Sequence, residues 1–318
     1  MMKAIVMTDF GGPDVLKEKN IPAPEPEANE LLVKVYASSV NPVDYKMRSN
    51  KGRSPLSPNI VIGWDASGVV EKTGPGVKEF KEGDEVFFTP RIADRYGTYA
   101  EYSVVDADIV AIKPKGISFI EAASLPLAGC TAVDAIVNFG KVKLGETVLI
   151  HAGAGGVGSL AIQMAKAAGA KVITTCNPGN NELVKSLGAD IAIDYKKEDF
   201  IQAVQKETNE KGVDFVFDTV GGDTVSKSIE IVKPFGRIVS IVNISGDLNK
   251  AFLKNVTFGF IFMQRAKSKM ELLKTLVEQR KLVPVIDSVM QLNQAADAHR
   301  KIEKGGMRGK IVLNVYST

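Results

Sequence analysis

The chain of 318 residues has only two cysteines, Cys130 and Cys176. Two thiols cannot form a disulfide framework, and their spacing matches no metal-ligand pattern. Both are expected as reduced thiols in a reducing compartment. No apolar run approaches the ~18 residues of a membrane span, so no membrane association is expected. The first ten residues reach Asp9 before a signal-peptide core can form, and a cytoplasmic location is expected. An excess of one charge sign is also missing: 40 Lys and Arg against 37 Asp and Glu give a net charge of +3. That balance argues against a nucleic-acid partner, which calls for clustered basic residues. No Ser/His/Asp set with interpretable spacing appears, so nucleophilic hydrolysis has no support. Internal repeats and low-complexity segments are absent as well.

What is present is an ordinary globular composition, 45% hydrophobic and 24% charged, over a length that suggests two domains. Residues 1 to about 120 read as β-rich. Short apolar segments such as Leu31-Leu32-Val33-Lys34-Val35 and Glu85-Val86-Phe87-Phe88 alternate with turns such as Gly11-Gly12-Pro13 and Gly74-Pro75-Gly76, a pattern of a compact barrel-like domain. A helical stretch, Phe119 to Asn138, then leads into alternating β and α signals. Strands are expected at Thr147 to His151, Lys171 to Cys176, Ile191 to Asp194, Val213 to Thr219 and Gly236 to Val242. Helices are expected at Gly156 to Ala168, Asn181 to Leu187, Glu198 to Thr208 and Asp223 to Val232. Repeated βαβ units imply a parallel sheet with helices on both faces. A long amphipathic helix, Lys267 to Arg280, precedes a final strand around Lys310 to Val315. The run Val256 to Phe262 is read either as an edge strand or as core.

The clearest motif is His151-Ala152-Gly153-Ala154-Gly155-Gly156-Val157-Gly158. It satisfies G-x-G-x-x-G directly after a strand and before a helix, the context that gives this pattern meaning. The first glycine permits the tight turn, the middle one lets backbone approach a pyrophosphate, and the last lets helix pack on strand. Amides at the helix start and the helix dipole favour phosphate. An NAD-specific site places an acid about 20 residues on, at the end of the second strand. Here that strand runs out as Thr174-Thr175-Cys176-Asn177-Pro178-Gly179-Asn180, with no carboxylate to repel a 2′-phosphate. Lys185, Tyr195, Lys196 and Arg308 are candidate phosphate partners. NADPH is therefore the expected cofactor, with NADH also possible. His151 is read as a structural strand-end residue and His299, in a polar helix, as a surface residue. Cys130 is read as a small packed thiol.

Several further motifs fall in order along nearly the whole chain: Asn41-Pro42-Val43-Asp44-Tyr45-Lys46, Gly63-Trp64-Asp65-Ala66-Ser67-Gly68-Val69-Val70, Gly83-Asp84-Glu85-Val86, Gly97-Thr98-Tyr99-Ala100-Glu101-Tyr102, Ala122-Ala123-Ser124-Leu125-Pro126-Leu127-Ala128, Asp218-Thr219-Val220-Gly221-Gly222 and Arg308-Gly309-Lys310. With the glycine loop, they resemble the zinc-independent quinone oxidoreductase branch of the medium-chain dehydrogenase/reductase superfamily. The Asn-Pro-Val-Asp-Tyr-Lys form is similar to alkenal and enone reductases.

The resemblance implies an α/β fold: a GroES-like catalytic domain over 1–122 and 263–318, and a Rossmann dinucleotide-binding domain over 123–262, with the active site in the cleft. It implies hydride transfer from NADPH to the β-carbon of an α,β-unsaturated carbonyl, or to a quinone. An enoyl-thioester reductase and a catalytically silent NADPH-binding protein are the alternatives. Zinc relatives bind their catalytic metal at places that correspond here to Asp44, Trp64 and about Leu127, a set unable to make a catalytic zinc site. By resemblance Lys46, Asn41 and Tyr45 are the catalytic candidates, Lys46 also lying near the nicotinamide ribose. Thr131, Val220 and Ile241 are expected at the nicotinamide half, Gly153, Gly155, Gly156, Val157 and Gly158 at the pyrophosphate, and Thr175 and Tyr195 beside the adenosine phosphate. Loops at 48–58 and 91–96 are expected to shape the substrate pocket. A homodimer is implied.

Overall fold

The computed structural model describes residues 1–49, 54–92 and 96–316. It divides into two compact units, one of Met1–Leu127, Arg265–Arg280 and Pro284–Thr318, the other of Ala128–Gln264 and Lys281–Val283.

The first unit begins with eight strands: β1 (Met2–Met7), β2 (Leu16–Ile21), β3 (Glu30–Val40), β4 (Ile60–Val61), β5 (Ala66–Thr73), β6 (Glu85–Phe88), β7 (Tyr102–Asp106) and β8 (Val110–Ile112). Helix α1 (Pro42–Ser49) follows β3 directly, with Pro42 supplying the fixed φ that suits a first helical turn. Helix α2 (Phe119–Ala123) starts from a capping box in which Ser118 and Glu121 satisfy each other's backbone amides.

Helix α3 (Pro126–Val133), which enters the second unit at Ala128, passes into a π-helical turn, Asp134–Phe139. The helix expected over Phe119 to Asn138 is thus three pieces. Pro126 has no N–H to donate, so α2 cannot run into α3. Six strands follow: β9 (Thr147–Ile150), β10 (Lys171–Cys176), β11 (Ile191–Asp194), β12 (Val213–Asp218), β13 (Val232–Ser240) and β14 (Thr257–Phe260). Between them lie α4 (Gly156–Ala167), α5 (Asn181–Ser186), α6 (Phe200–Glu207), α7 (Thr224–Ser228) and α8 (Lys250–Leu253). The sheet order is β11-β10-β9-β12-β13-β14, and each pairing is parallel. That is the 3-2-1-4-5-6 order of a Rossmann sheet, whose ligand crevice lies where the order reverses, beyond the ends of β9 and β12. Leu149, Ile173, Val216 and Ile238 are fully buried from adjacent strands and form its core with Val204 of α6, as expected for parallel strands covered on both faces. Helix α7 ends earlier than expected and β13 begins earlier, because Val232 already pairs with Val213 across a register shift. Val256 to Phe262 contains β14, the last strand of the sheet, with Phe260 and Phe262 exposed.

The chain then returns to the first unit through α9 (Lys267–Glu278), β15 (Ile286–Gln291), α10 (Ala295–Lys304) and β16 (Lys310–Asn314). Strand β16 pairs with β3, which joins it to a sheet of order β15-β16-β3-β5-β6-β8 with β7 also on β3; β2, β1 and β4 form a smaller sheet. Helix α10 buries Ala295, Ala298, His299 and Ile302, an i, i+3, i+4, i+7 stripe. His299 is therefore 0% exposed. The expected surface position for it is wrong: small residues around it let that face of a highly charged helix pack inward. No helix among the described residues is long and apolar enough to cross a membrane.

Candidate active site

In the second unit the chain leaves β9 at Ile150 and turns through Ala152, a non-glycine residue at φ 55°. The end of β10 fixes this turn. The Ala152 amide donates to Thr175 Oγ1 at 3.1 Å and the Gly153 amide to the Thr175 carbonyl at 3.0 Å. Buried His151 completes the brace, with Nδ1 3.3 Å from Thr175 Oγ1 and Nε2 3.1 Å from Ser228 Oγ. Ser228 Oγ already donates to the Thr224 carbonyl at 2.7 Å. It must therefore accept from Nε2–H, leaving Nδ1 to accept from the Thr175 hydroxyl. Burial holds the imidazole pKa down at about 4, so His151 is a neutral structural residue. Thr175 is buried and committed to the loop.

The glycines divide the work. A Cβ on Gly153 would lie 2.1 Å from Thr174 Oγ1, and one on Gly158 would lie 2.4 Å from the Ala152 carbonyl oxygen. These two positions let strand, loop and helix close on one another. A Cβ on Gly155 would meet only the Ala152 oxygen, at 3.4 Å, so its open side faces away from the protein. Gly155 caps α4, and the first amide paired back to it is that of Ser159. The amides of Gly156, Val157 and Gly158 thus belong to the first turn, whose donors have no acceptor inside a helix. Directed donors, a positive helix end and an open glycine are what a diphosphate requires.

The neighbouring strand ends are tied to this loop. Thr219 Oγ1 donates to the His151 carbonyl at 2.8 Å. Buried Asp218 accepts from the Val220 and Gly221 amides and from Ser240 Oγ, and the Ile241 amide bonds the Asp218 carbonyl. Val220 and Ile241 are thereby held at the C-terminal edge of the sheet, Val220 56% exposed. At the end of β10, Tyr195 OH donates to Asn177 Oδ1 at 2.9 Å. Thr131 is buried on α3.

In the first unit, Asn41 ends β3 and opens onto α1. Its Nδ2 donates to Asp65 Oδ2 at 2.8 Å and its Oδ1 accepts from Lys310 Nζ. Asp65 Oδ2 also accepts from Ser39 Oγ at 2.8 Å and Lys310 Nζ at 3.1 Å, while Oδ1 accepts the Leu127 amide at 2.7 Å. Lys310 further bonds the Val40 carbonyl at 3.0 Å. All three polar side chains are buried, and an ammonium is the cation among them. The side chain of this segment that bonds Asp65 is thus Asn41. Three residues into α1, Asp44 is turned the other way, its Oδ2 accepting Tyr99 OH at 2.6 Å and the Asn41 amide at 2.8 Å. Burial lifts its pKa to about 7 against the opposing hydrogen bond from Tyr99.

Of the other expected residues, Lys46 is exposed on α1. Tyr45 is half-buried against the core that contains Tyr99, and burial raises its phenol pKa. Arg308 is exposed just before β16, its amide donating to Asp287 Oδ1 at 3.1 Å. Residues 50–53 and 93–95 of the two expected pocket loops lie outside the described residues. Asp65, Lys310 and the Tyr99–His299 pair were not singled out from the sequence. The available signal was one acid after Trp64 and one lysine heading the apolar run Lys310-Ile311-Val312-Leu313, charges placed where only a buried partner could satisfy them.

The family model "Alcohol dehydrogenase GroES-like domain" matches residues 27–115, and "Zinc-binding dehydrogenase" matches residues 187–313. A 2-methylene-furan-3-one reductase of Solanum lycopersicum is 39% identical, with 98% of this chain and 79% of that protein covered. A chloroplastic NADPH-dependent alkenal/one oxidoreductase of Arabidopsis thaliana is 38% identical, with the same shares covered. The solved quinone oxidoreductase of Coxiella burnetii is 40% identical, with a TM-score of 0.90 and 99% of both chains covered. The GroES-like unit, the Rossmann unit and these relatives together establish that the chain belongs to the zinc-independent quinone and enone reductase branch of the medium-chain dehydrogenase/reductase superfamily.

Proposed function

We propose that this protein is an NADPH-dependent reductase of α,β-unsaturated carbonyls or quinones. The observation that carries the proposal is the glycine loop, where open Gly155 precedes three first-turn amides. The residues present fit a dinucleotide: donors for its diphosphate at α4, and no carboxylate from Thr175 to Asn180 to repel a 2′-phosphate. Tyr195 and Asn177 are the proposed partners at the adenosine phosphate. Thr131, Val220 and Ile241 are assigned to the nicotinamide half. Thr175 acts one step back, holding Ala152 and Gly153 in place.

When bound, NADPH supplies the hydride. The protein's task is to orient the acceptor and stabilise negative charge on its oxygen. Lys46, an exposed ammonium on α1, is assigned that electrostatic role, and Tyr45 a hydrogen-bonding role. Asn41 has both amide atoms committed to Asp65 and Lys310, so its part is to set where α1 begins. The two buried free cysteines accord with a cytoplasmic protein. We further propose a homodimer formed along β14, whose outer edge and exposed Phe260 and Phe262 suit pairing with a second copy.

The test follows NADPH absorbance with 9,10-phenanthrenequinone, an acyclic enal and a crotonyl thioester. Consumption with the quinone or the enal is expected. Tight NADPH binding with no consumption of any acceptor would leave a silent binder instead.

A further inference from the structure

Helix α1 carries two buried charged residues one turn apart, Asp44 and Arg48. Helix α10 faces it with His299 and Glu303, also one turn apart. Tyr99 completes a continuous hydrogen-bonded row. Arg48 pairs with Glu303, whose side chain is 35% exposed, and its Nε donates to His299 Nδ1 at 3.3 Å. His299 Nε2–H then donates to Tyr99 OH at 3.2 Å, and Tyr99 OH donates to Asp44 Oδ2 at 2.6 Å. The row ends on Asp44, whose Oδ1 is buried with no hydrogen-bond partner among the described residues. The Asn41 amide binds the same Oδ2, so this carboxyl ties the start of α1 to α10.

We propose that Asp44 is an ionisable positioning residue for the reduction, its charge state setting how α1 presents Tyr45 and Lys46 to the acceptor. This rests on the proposed reductase reading. The groups that face Asp44 are the Asn41 amide, Tyr99, Lys310 and Asp65. Within the row, burial pushes Tyr99 well above its usual range and His299 down to about 3. Neither changes charge between pH 5 and 9, whereas Asp44, raised to about 7, does. When Asp44 is neutral, Lys310 balances Asp65. When Asp44 ionises, two buried carboxylates share that one ammonium, and the partnerless Oδ1 becomes a buried charge without a donor. The α1 face that holds Asp44 and Arg48 must then rearrange.

The experiment measures kcat and NADPH affinity from pH 5.5 to 9 for wild type, Asp44→Asn and Tyr99→Phe, with the acceptor that wild type reduces best. Wild-type kcat is expected to fall at least about fivefold as pH rises through the Asp44 ionisation, with NADPH affinity unchanged across it. Asp44→Asn, neutral at every pH and able to accept from both Tyr99 and the Asn41 amide, should keep the low-pH kcat and change less than about twofold over the range. Tyr99→Phe removes the hydrogen bond that favours the ionised form, so the fall should move to higher pH. An unchanged fall in Asp44→Asn, or an equal loss of kcat at every pH, overturns the inference while leaving the reductase reading intact. A wild type that binds NADPH but reduces no acceptor overturns the reductase reading and the positioning role with it.

Discussion

Adding one methyl group at Gly158 or at Gly155 is expected to give opposite results. At Gly158 the Cβ would lie 2.4 Å from the Ala152 oxygen and 2.8 Å from Gly153 Cα, both backbone atoms that cannot swing aside. Gly158→Ala should destabilise the protein by about 1–3 kcal/mol, read from denaturant unfolding. At Gly155 the Cβ meets nothing closer than 3.4 Å. Gly155→Ala should stay within about 1 kcal/mol of wild-type stability. It should nevertheless weaken NADPH binding at least about tenfold, because the methyl stands where the diphosphate must approach. Lys46 gives a third contrast. It is exposed, so Lys46→Ala should change stability by no more than about 0.5 kcal/mol. Turnover should fall by about 10²-fold with NADPH affinity little changed; unaltered turnover would remove Lys46 from the mechanism. His151 sets a pH dependence of its own. Its folded pKa lies below the ordinary 6.5, at about 4. The buried neutral form therefore contributes stability that is present above pH 6.5 and lost as pH falls towards 4. The stability advantage of wild type over His151→Asn should shrink across that window in thermal melts at matched pH; a constant gap would contradict the assignment.

At the scale of elements, strands and turns were the most legible. The alternation of β-branched runs with helical spacing located five of the six parallel strands and left the sixth, β14, open between an edge strand and core, and the loop after β9 fell between its strand and helix as glycine chemistry requires. Helix ends were harder, because they depend on caps and on one proline: Pro126 divides what looks like a single apolar helix. Helix α10 shows the other difficulty. Its many charges read as a solvated element, and only its packed face reveals that His299 belongs inside. Strand β14 carries a prediction at this scale. It ends the sheet with Phe260 60% and Phe262 70% exposed, and flat apolar edges invite another strand. Sedimentation of wild type should report a dimer. Phe260→Lys should raise the dimer dissociation constant at least about tenfold, since it places a charge in an apolar contact. A wild type that is monomeric at every concentration would contradict the proposed pairing.

At the scale of the whole molecule, the division into a β-rich unit and a βαβ unit follows from a change of periodicity along the chain. The cofactor loop follows from three glycines in a defined context. The polar groups of the first unit were less legible for a physical reason. Asn41, Asp65 and Lys310 lie far apart in sequence, and sequence spacing is silent about which buried charges find one another. The account rests most directly on the seating of a dinucleotide diphosphate at Gly155 to Gly158, and a thermal melt of the purified protein with and without NADPH tests it. At about 100 times its dissociation constant, NADPH should add ~2.7 kcal/mol and raise Tm by about 3–5 °C. An unmoved Tm at saturating NADPH and at saturating NADH would contradict the account.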